Sequence, residues 1–250
     1  MNNSKRPAFL DRIEPWHNLW DIPAEAPPAR PAKVIKPHTP SRTDLSPQTR
    51  PPLAVKLSQE KVAFGMDLIA NPFDKNSIRQ RRLGLSSRKF EYLRRWFEGK
   101  ELIWTFAMGH YRFLVTKEGL YSLFNIDVKK ELDQHTFALN LACQHLRRDP
   151  EIVQIQKQVK VKNNAIVDIL LHLKNGQREV LEITLSVGNV VSNCSRLSGC
   201  GFSTIVFLCR DHTIRQGTWN MLKTAGLPEG LFAKVRCMLF SALLKKYKTV

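Results

Sequence analysis

AIVDILLHL, residues 165 to 173, and REVLEITLS, residues 178 to 186, decide how this chain is read. Both alternate as β-strands do, and Lys174-Asn175-Gly176-Gln177 between them has hairpin chemistry. Each strand carries one carboxylate among Ile, Val and Leu: Asp168 in the first, Glu182 in the second. An isolated carboxylate among apolar side chains is costly unless it is paired or binds a metal. Two of them on neighbouring strands therefore point to a site.

Residues two apart on a strand share a face, so Asp168 lies with Ile166 and Leu170, and Glu182 with Thr184 and Ser186. Pairing through the Gly176 hairpin puts both carboxylates on one face of adjacent strands, close enough to share a hard cation. Mg²⁺ or Mn²⁺ takes oxygen ligands, activates water and neutralises charge developing on a phosphate. Hydrolysis of a DNA phosphodiester is the natural reaction for such a pair in a basic protein.

The flanking sequence completes a layout. A helix is predicted over 131–147, ELDQHTFALNLACQHLR, with Phe137, Leu141 and Leu146 inward and Asp149-Pro150 as its stop. IVQIQKQVKV (152 to 161) is a strand before the pair; a helix over about 189–199 and the buried-strand run STIVFLC (203 to 209) follow it, and then a helix over 212–224. Helix, three strands, helix and strand give an α/β fold with a mixed sheet flanked by helices. The tail from Leu231 to Val250 places Phe232, Val235, Leu239, Leu243 and Leu244 on helical spacing with five Lys or Arg and no acid. It predicts a basic C-terminal helix that either widens a DNA-binding surface or caps the core.

The N-terminal half reads differently. Residues 1 to 52 hold 11 of the 14 prolines and predict an extended, mostly disordered Pro-rich arm. Within it Phe9, Leu10, Ile13, Trp16, Leu19 and Trp20 recur at helix-like spacing. Trp16 and Trp20 form a docking patch, and two occupants stay open: the chain's own folded part or a protein partner. From residue 53 the composition is globular. A helix over 56–70 ends at Asn71-Pro72, a short helix ends near Leu83, Gly84 turns, and Ser86 or Ser87 caps a further helix that Gly99 closes. Phe90, Leu93 and Phe97 share its inner face, whereas Arg88, Lys89, Tyr92 and Arg95 point elsewhere. LIWTFA (102 to 107) and YRFLVT (111 to 116) are strands joined around Met108-Gly109, and Glu118-Gly119 turns the chain back.

Helix, turn, helix and two-stranded wing in this order, carried by residues 78 to 124, resemble the winged helix-turn-helix family and imply a domain over residues 53 to 128. The resemblance implies double-stranded DNA as partner, gripped by Arg88, Lys89, Tyr92 and Arg95 with Arg81 and Arg82 on the preceding helix. Residues 75 to 100 hold nine Lys or Arg against two acids, as phosphate contact requires. Winged helices also dock proteins, and that reading stays open.

Residues 129 to 250, with Asp168 in the second strand and Glu182 in the third, resemble the PD-(D/E)XK phosphodiesterase superfamily, also called restriction-endonuclease-like. DPEIVQIQKQVKV, VDILLHLKNG and LEIT are similar in layout to the endonuclease subunit of heteromeric cut-and-paste transposases (TnsA type). The resemblance implies a metal-dependent DNA endonuclease subunit of a transposition system, with Asp168 and Glu182 as ligands of Mg²⁺ (or Mn²⁺) and a transposase as partner. The family's third strand normally reads Glu-X-Lys; here it is Glu182-Ile183-Thr184. With the cation missing, Lys160 on the first strand or Arg196 on the following helix are the substitutes. On the first helix, where related nucleases place an acid, the chain offers Glu131 or Asp133 and then Gln134-His135. His135 and His145 otherwise read as partner-bonded or surface histidines, and Asn189, Ser192 and Asn193 as phosphate contacts or helix caps. A second function class stays open throughout: a non-cutting nuclease fold that binds DNA and recruits a partner as an assembly or regulatory factor.

Composition bounds these readings. In 250 residues, 39 Lys and Arg against 22 Asp and Glu leave a formal charge of +17, which favours polyanions and does not separate DNA from RNA. The five Cys lack a CxxC pair and read as reduced, buried thiols of a cytoplasmic chain; Cys194 and Cys200 alone do not make a zinc ligand set. No apolar run reaches the length of about 18 residues that a membrane span needs, so no membrane partner is expected.

Overall fold

The computed structural model describes residues 57–126 and 132–246; the Pro-rich arm with Trp16 and Trp20, and Glu131, lie outside the described residues. These residues belong to one compact unit. Ser58 accepts a hydrogen bond from the Lys61 N–H and so caps helix α1, Gln59–Ala70. Helix α2 spans Asn76–Arg82. Ser86 caps α3, Ser87–Gly99, by accepting from the Lys89 N–H. Phe90, Leu93 and Phe97 on α3 are buried against Phe64 and Leu68 of α1 and against Ile103 and Leu114. The last two belong to strands β1 (Ile103–Met108) and β2 (Tyr111–Thr116), an antiparallel pair. A single bridge from Lys75 to Phe113 ties the loop before α2 to this hairpin. Glu118 and Gly119 open helix α4 (Glu118–Leu123), with Lys117, extended, at its N-cap.

Helix α5, Gln134–Leu146, begins at Asp133, whose side chain accepts from the Thr136 N–H. Strands β3 (Ile152–Lys160), β4 (Ile166–Leu173), β5 (Arg178–Thr184), β6 (Thr204–Cys209) and β7 (Val235–Leu239) form one five-stranded sheet in chain order. β3, β4 and β5 pair antiparallel, whereas β5, β6 and β7 pair parallel. The parallel steps require crossovers, supplied by α6 (Val190–Arg196) after β5 and by α7 (His212–Thr224) with α8 (Glu229–Phe232) after β6. The chain is thus α/β, with a mixed sheet and a small antiparallel hairpin.

Alternation sorts the strand residues onto two buried faces. Leu170, Val180, Ile205, Phe207 and Val235 pack with Val190, Cys194 and Leu197 around α6 and with Leu222 of α7. Ile169, Leu171, Leu181, Val206 and Met238 alternate with them and are also buried. On that side α5 lies across β3, β4 and β5, and α9 (Phe240–Lys246) packs on α5 and β7. An aromatic cluster joins the hairpin to α5: Phe137 meets Phe73, Trp104, Phe106 and Phe113 at ring-centroid distances of 5.3 to 6.5 Å. All five cysteines are buried free thiols.

The C-terminal segment differs from the expected single helix. Leu231 and Phe232 end α8, Val235–Leu239 is a strand, and helix resumes over Phe240–Lys246. β6 is buried along its whole length, so its outer edge needs a hydrogen-bonding neighbour. That requirement outweighs a 3.6-residue spacing that five apolar positions also allow. Lys246, counted as part of a basic surface, instead reaches Asp149 at 3.0 Å, where both side chains are largely buried.

Candidate functional site

β4 and β5 keep backbone register from His172 opposite Arg178 to Ile169 opposite Leu181. One position further, side chains take over from the ladder. The Ile183 N–H donates to Asp168 Oδ2 at 2.7 Å, and the Asp168 N–H donates to Glu182 Oε1 at 3.4 Å. The two carboxylates therefore plug the open end of the strand pair and face the same cleft, of about 500 Å³. On the other side of Asp168, β3 is irregular: Lys157 pairs with Ile169 and Val159 with Val167, but Gln158 between them has φ 50°. A left-handed glutamine costs on the order of 1 kcal/mol and tends to mark functional loci.

Three further side chains set the electrostatics. His135, in the first turn of α5, brings Nε2 to 3.1 Å from Asp168 Oδ2. That hydrogen bond raises the His135 pKa against the effect of burial. His135 and Ile183 thus bond the same oxygen, Oδ2, and Asp168 lines the cleft. Glu182 is 5 % exposed; burial first, and then the Asp168 charge, pushes its pKa up to about 8. Asn193 on α6 places Nδ2 at 3.5 Å from Glu182 Oε2, and Arg196 Nη2 lies 2.5 Å from Asn193 Oδ1. Since a guanidinium only donates, the Asn193 amide is oriented with its oxygen to Arg196 and its NH₂ to the carboxylate.

Thr184, Ser186, Asn189 and Arg196 add polar wall, and Val190 and Phe207 an apolar floor. Thr184 turns its hydroxyl onto the Glu182 carbonyl at 3.2 Å. Of the two cations named as substitutes for the motif lysine, Arg196 lines the cleft, whereas Lys160 is exposed on β3 and does not. Asp133 is occupied in capping α5, and Ser192 is not among the lining residues. No group of three or more His, Cys, Asp and Glu among the described residues is arranged to hold a metal by itself. The chain's own contribution to a cation here is two carboxylates, with water and phosphate oxygens as the complement that Mg²⁺ ordinarily keeps.

Comparison with protein-family models, curated proteins and solved structures finds no match for this chain.

The cations of α2 and α3 divide into engaged and open ones. Arg82 pairs with Asp67 at 2.6 Å and Asp74 at 2.5 Å, Lys89 with Glu60 at 2.5 Å, and Arg95 with Glu91 at 2.8 Å. Arg79, which the sequence groups with the surface cations, is fully buried and paired with Asp67. Arg81 and Arg88 are exposed, and Tyr92 is 55 % exposed. Arg88, Tyr92 and Arg95 fall at i, i+4 and i+7, one face of α3. Among the described residues no helix is long and apolar enough to cross a membrane.

The sequence located Asp168 and Glu182 from their apolar flanks. It placed His135 at a facing position without its partner, and named Asn193 only as a cap or phosphate contact. The Gln158 backbone has no sequence signal, because glutamine has no preference for positive φ.

Proposed function

We propose that this chain is a DNA-binding, metal-dependent endonuclease subunit of a mobile-element or transposition system. The observation that carries the reading is the cross-strand pair Asp168 and Glu182, hydrogen-bonded to opposite backbones at the mouth of a polar cleft. Support comes from the order helix, three antiparallel strands, helix and parallel strand, which is the arrangement expected of a restriction-endonuclease-like domain. The three helices and hairpin of residues 59–116 support a winged helix in the same way.

The donor set fits a hard divalent cation. Two carboxylates converge, and the buried one has an amide as its nearest side-chain donor. With the Glu182 pKa pushed up to about 8, ionising it at neutral pH costs on the order of 1 kcal/mol, which a dication beside it offsets. Asp168 and Glu182 would hold Mg²⁺ or Mn²⁺. When bound, the ion supplies water activation and neutralises charge on the phosphate. His135 fixes the Asp168 rotamer through Oδ2, and Asn193 fixes the Glu182 carboxylate. Arg196, at the cleft wall, offers its guanidinium to a phosphate oxygen, the electrostatic role that Thr184 does not fill.

A second reading has its own observation. Thr184 is turned onto its own strand and Arg196 is held by Asn193. Among the described residues no Lys or Arg is aimed directly at the carboxylates, as expected of a non-cutting DNA-binding assembly factor that recruits a partner through the Trp16 and Trp20 arm. Supercoiled plasmid with Mg²⁺ and then Mn²⁺ separates the two. Wild-type nicking that Asp168→Ala and Glu182→Ala both abolish, with DNA affinity retained, supports the nuclease; equal binding and no nicking by all three supports the assembly factor.

A further inference from the structure

Ile166 is 64 % exposed, although it opens a strand whose following residues are mostly buried. It lies two positions before Asp168, on the same face, and lines the carboxylate cleft. Its cross-strand partner is Lys160 on edge strand β3, also exposed. Cross-strand partners project to the same face at close range. The rim of the cleft beside Asp168 therefore presents an open aliphatic side chain with a lysine next to it, although the cleft interior is polar.

This pair is poorly suited to the core, since neither residue packs there, and Lys160 stands too far out to line the cleft. Its chemistry matches the two halves of a nucleotide. An ammonium on a flexible stem meets a phosphate, and an aliphatic surface meets the face of a base. Base faces are covered by stacking inside a duplex and open only where a strand is unpaired.

We propose that Ile166 and Lys160 form a subsite for the nucleotide adjoining the scissile phosphate, with Ile166 against the base and Lys160 on its phosphate, and that the cleft consequently prefers a strand that is unpaired at that nucleotide. The proposal rests on the nuclease reading for the word scissile, but its binding component stands separately. Covering an isoleucine of this exposure is worth roughly five- to tenfold in affinity.

The test is equilibrium binding of the full chain, in EDTA so that nothing is cut, to a blunt fluorescein-labelled duplex and to the same duplex with a short single-stranded overhang carrying 2-aminopurine. Wild type is expected to bind the overhang about five- to tenfold more tightly than the blunt duplex, with a change in 2-aminopurine fluorescence. Ile166→Ala should erode that preference and leave blunt-duplex affinity unchanged, because a paired base offers it no face; Lys160→Ala should weaken binding to both DNAs, because a phosphate is present in each. Both positions are exposed, and a thermal melt of each variant checks that it folds. Equal affinity of wild type for the two DNAs, or a preference that survives Ile166→Ala, overturns the subsite. Ile166→Asp that leaves both affinities unchanged but converts a dimer to monomer in sedimentation overturns it in favour of a contact between copies. Plasmid nicking without an overhang preference defeats the subsite alone; a preference lost in Ile166→Ala without nicking defeats catalysis alone.

Discussion

Asp168 and Glu182 are joined through the backbone between them: the Asp168 N–H donates to Glu182 Oε1 at 3.4 Å, and Asp168 Oδ2 accepts from the Ile183 N–H at 2.7 Å. Two carboxyl groups are thus held at close range by donors that belong to the strands themselves. The sheet fixes their separation, and the cost of holding them falls on the protonation equilibrium of the more buried one.

That cost predicts a pH-dependent stability. Glu182 is pushed up to about 8 from 4.5, so the folded chain retains a proton there that the unfolded chain releases. The associated stability is complete below about pH 4.5 and is lost as pH rises towards about 8. His135, raised by its bond to Asp168, acts in the same direction, losing its contribution as pH rises through its folded value. The wild-type urea midpoint, measured without divalent metal, should therefore fall across this window, and Glu182→Gln should flatten the fall. A wild-type curve that rises with pH there would sink the assignment.

Asn193 bonds Glu182 and Arg196 bonds Asn193, and in the proposed nuclease the two act as a unit on Glu182 and on substrate. Asn193→Ala should raise the Mg²⁺ concentration required for nicking and slow it about 10- to 100-fold, the usual effect of losing a group that orients a metal-bound carboxylate. Thr184→Lys places an ammonium two residues beyond Glu182 on the same face, and in that background Arg196→Ala should cost less than in wild type. Additive losses in the double variant would remove Arg196 from the role of substitute cation.

On α3, Arg88→Glu and Arg95→Glu together should weaken duplex binding and reduce its salt slope by about 0.9 for each phosphate that the variant no longer neutralises. Arg82→Ala should behave differently, with affinity nearly unchanged and stability lowered, because Arg82 is engaged by Asp67 and Asp74. Fluorescence anisotropy across a salt series and a thermal melt of each variant check both outcomes.

Gly65 lets α1 approach Phe124. A Cβ there would fall 2.5 Å from the Phe124 ring and 3.3 Å from Phe97. Gly65→Ala should cost about 1–3 kcal/mol through overpacking, despite the better helix propensity of alanine. A variant with an unchanged or higher Tm would show that Phe124 swings away freely.

Buried Arg79 is the sharpest stability test. Removing it takes one of two guanidinium partners from Asp67, 8 % exposed, which keeps Arg82 at 2.6 Å, so the loss should fall below the roughly 3–5 kcal/mol of a buried pair broken with no partner left. Arg79→Met should lower the urea midpoint far more than Arg81→Met, at an exposed position of the same helix.

Much of this arrangement is local and was therefore legible in the sequence. Alternation around Asp168 and Glu182, the Asn175-Gly176 turn, the Ser86 cap and the buried-strand run before Cys209 each act over a few residues, and the strands and helices they predict are present. The two carboxylates could be singled out because their apolar flanks are adjacent in the chain. The tertiary structure decided everything that depends on partners distant in sequence. Val235–Leu239 is a strand because β6 offers it an unpaired edge, not because of its own pattern. His135 meets Asp168, and Arg196 reaches Glu182 through Asn193, across separations that periodicity does not encode. The same holds for charge: composition counts Arg79, Arg82, Lys89 and Arg95 alike as cations, and only the packed chain sets which are buried, which are paired and which are open to a ligand.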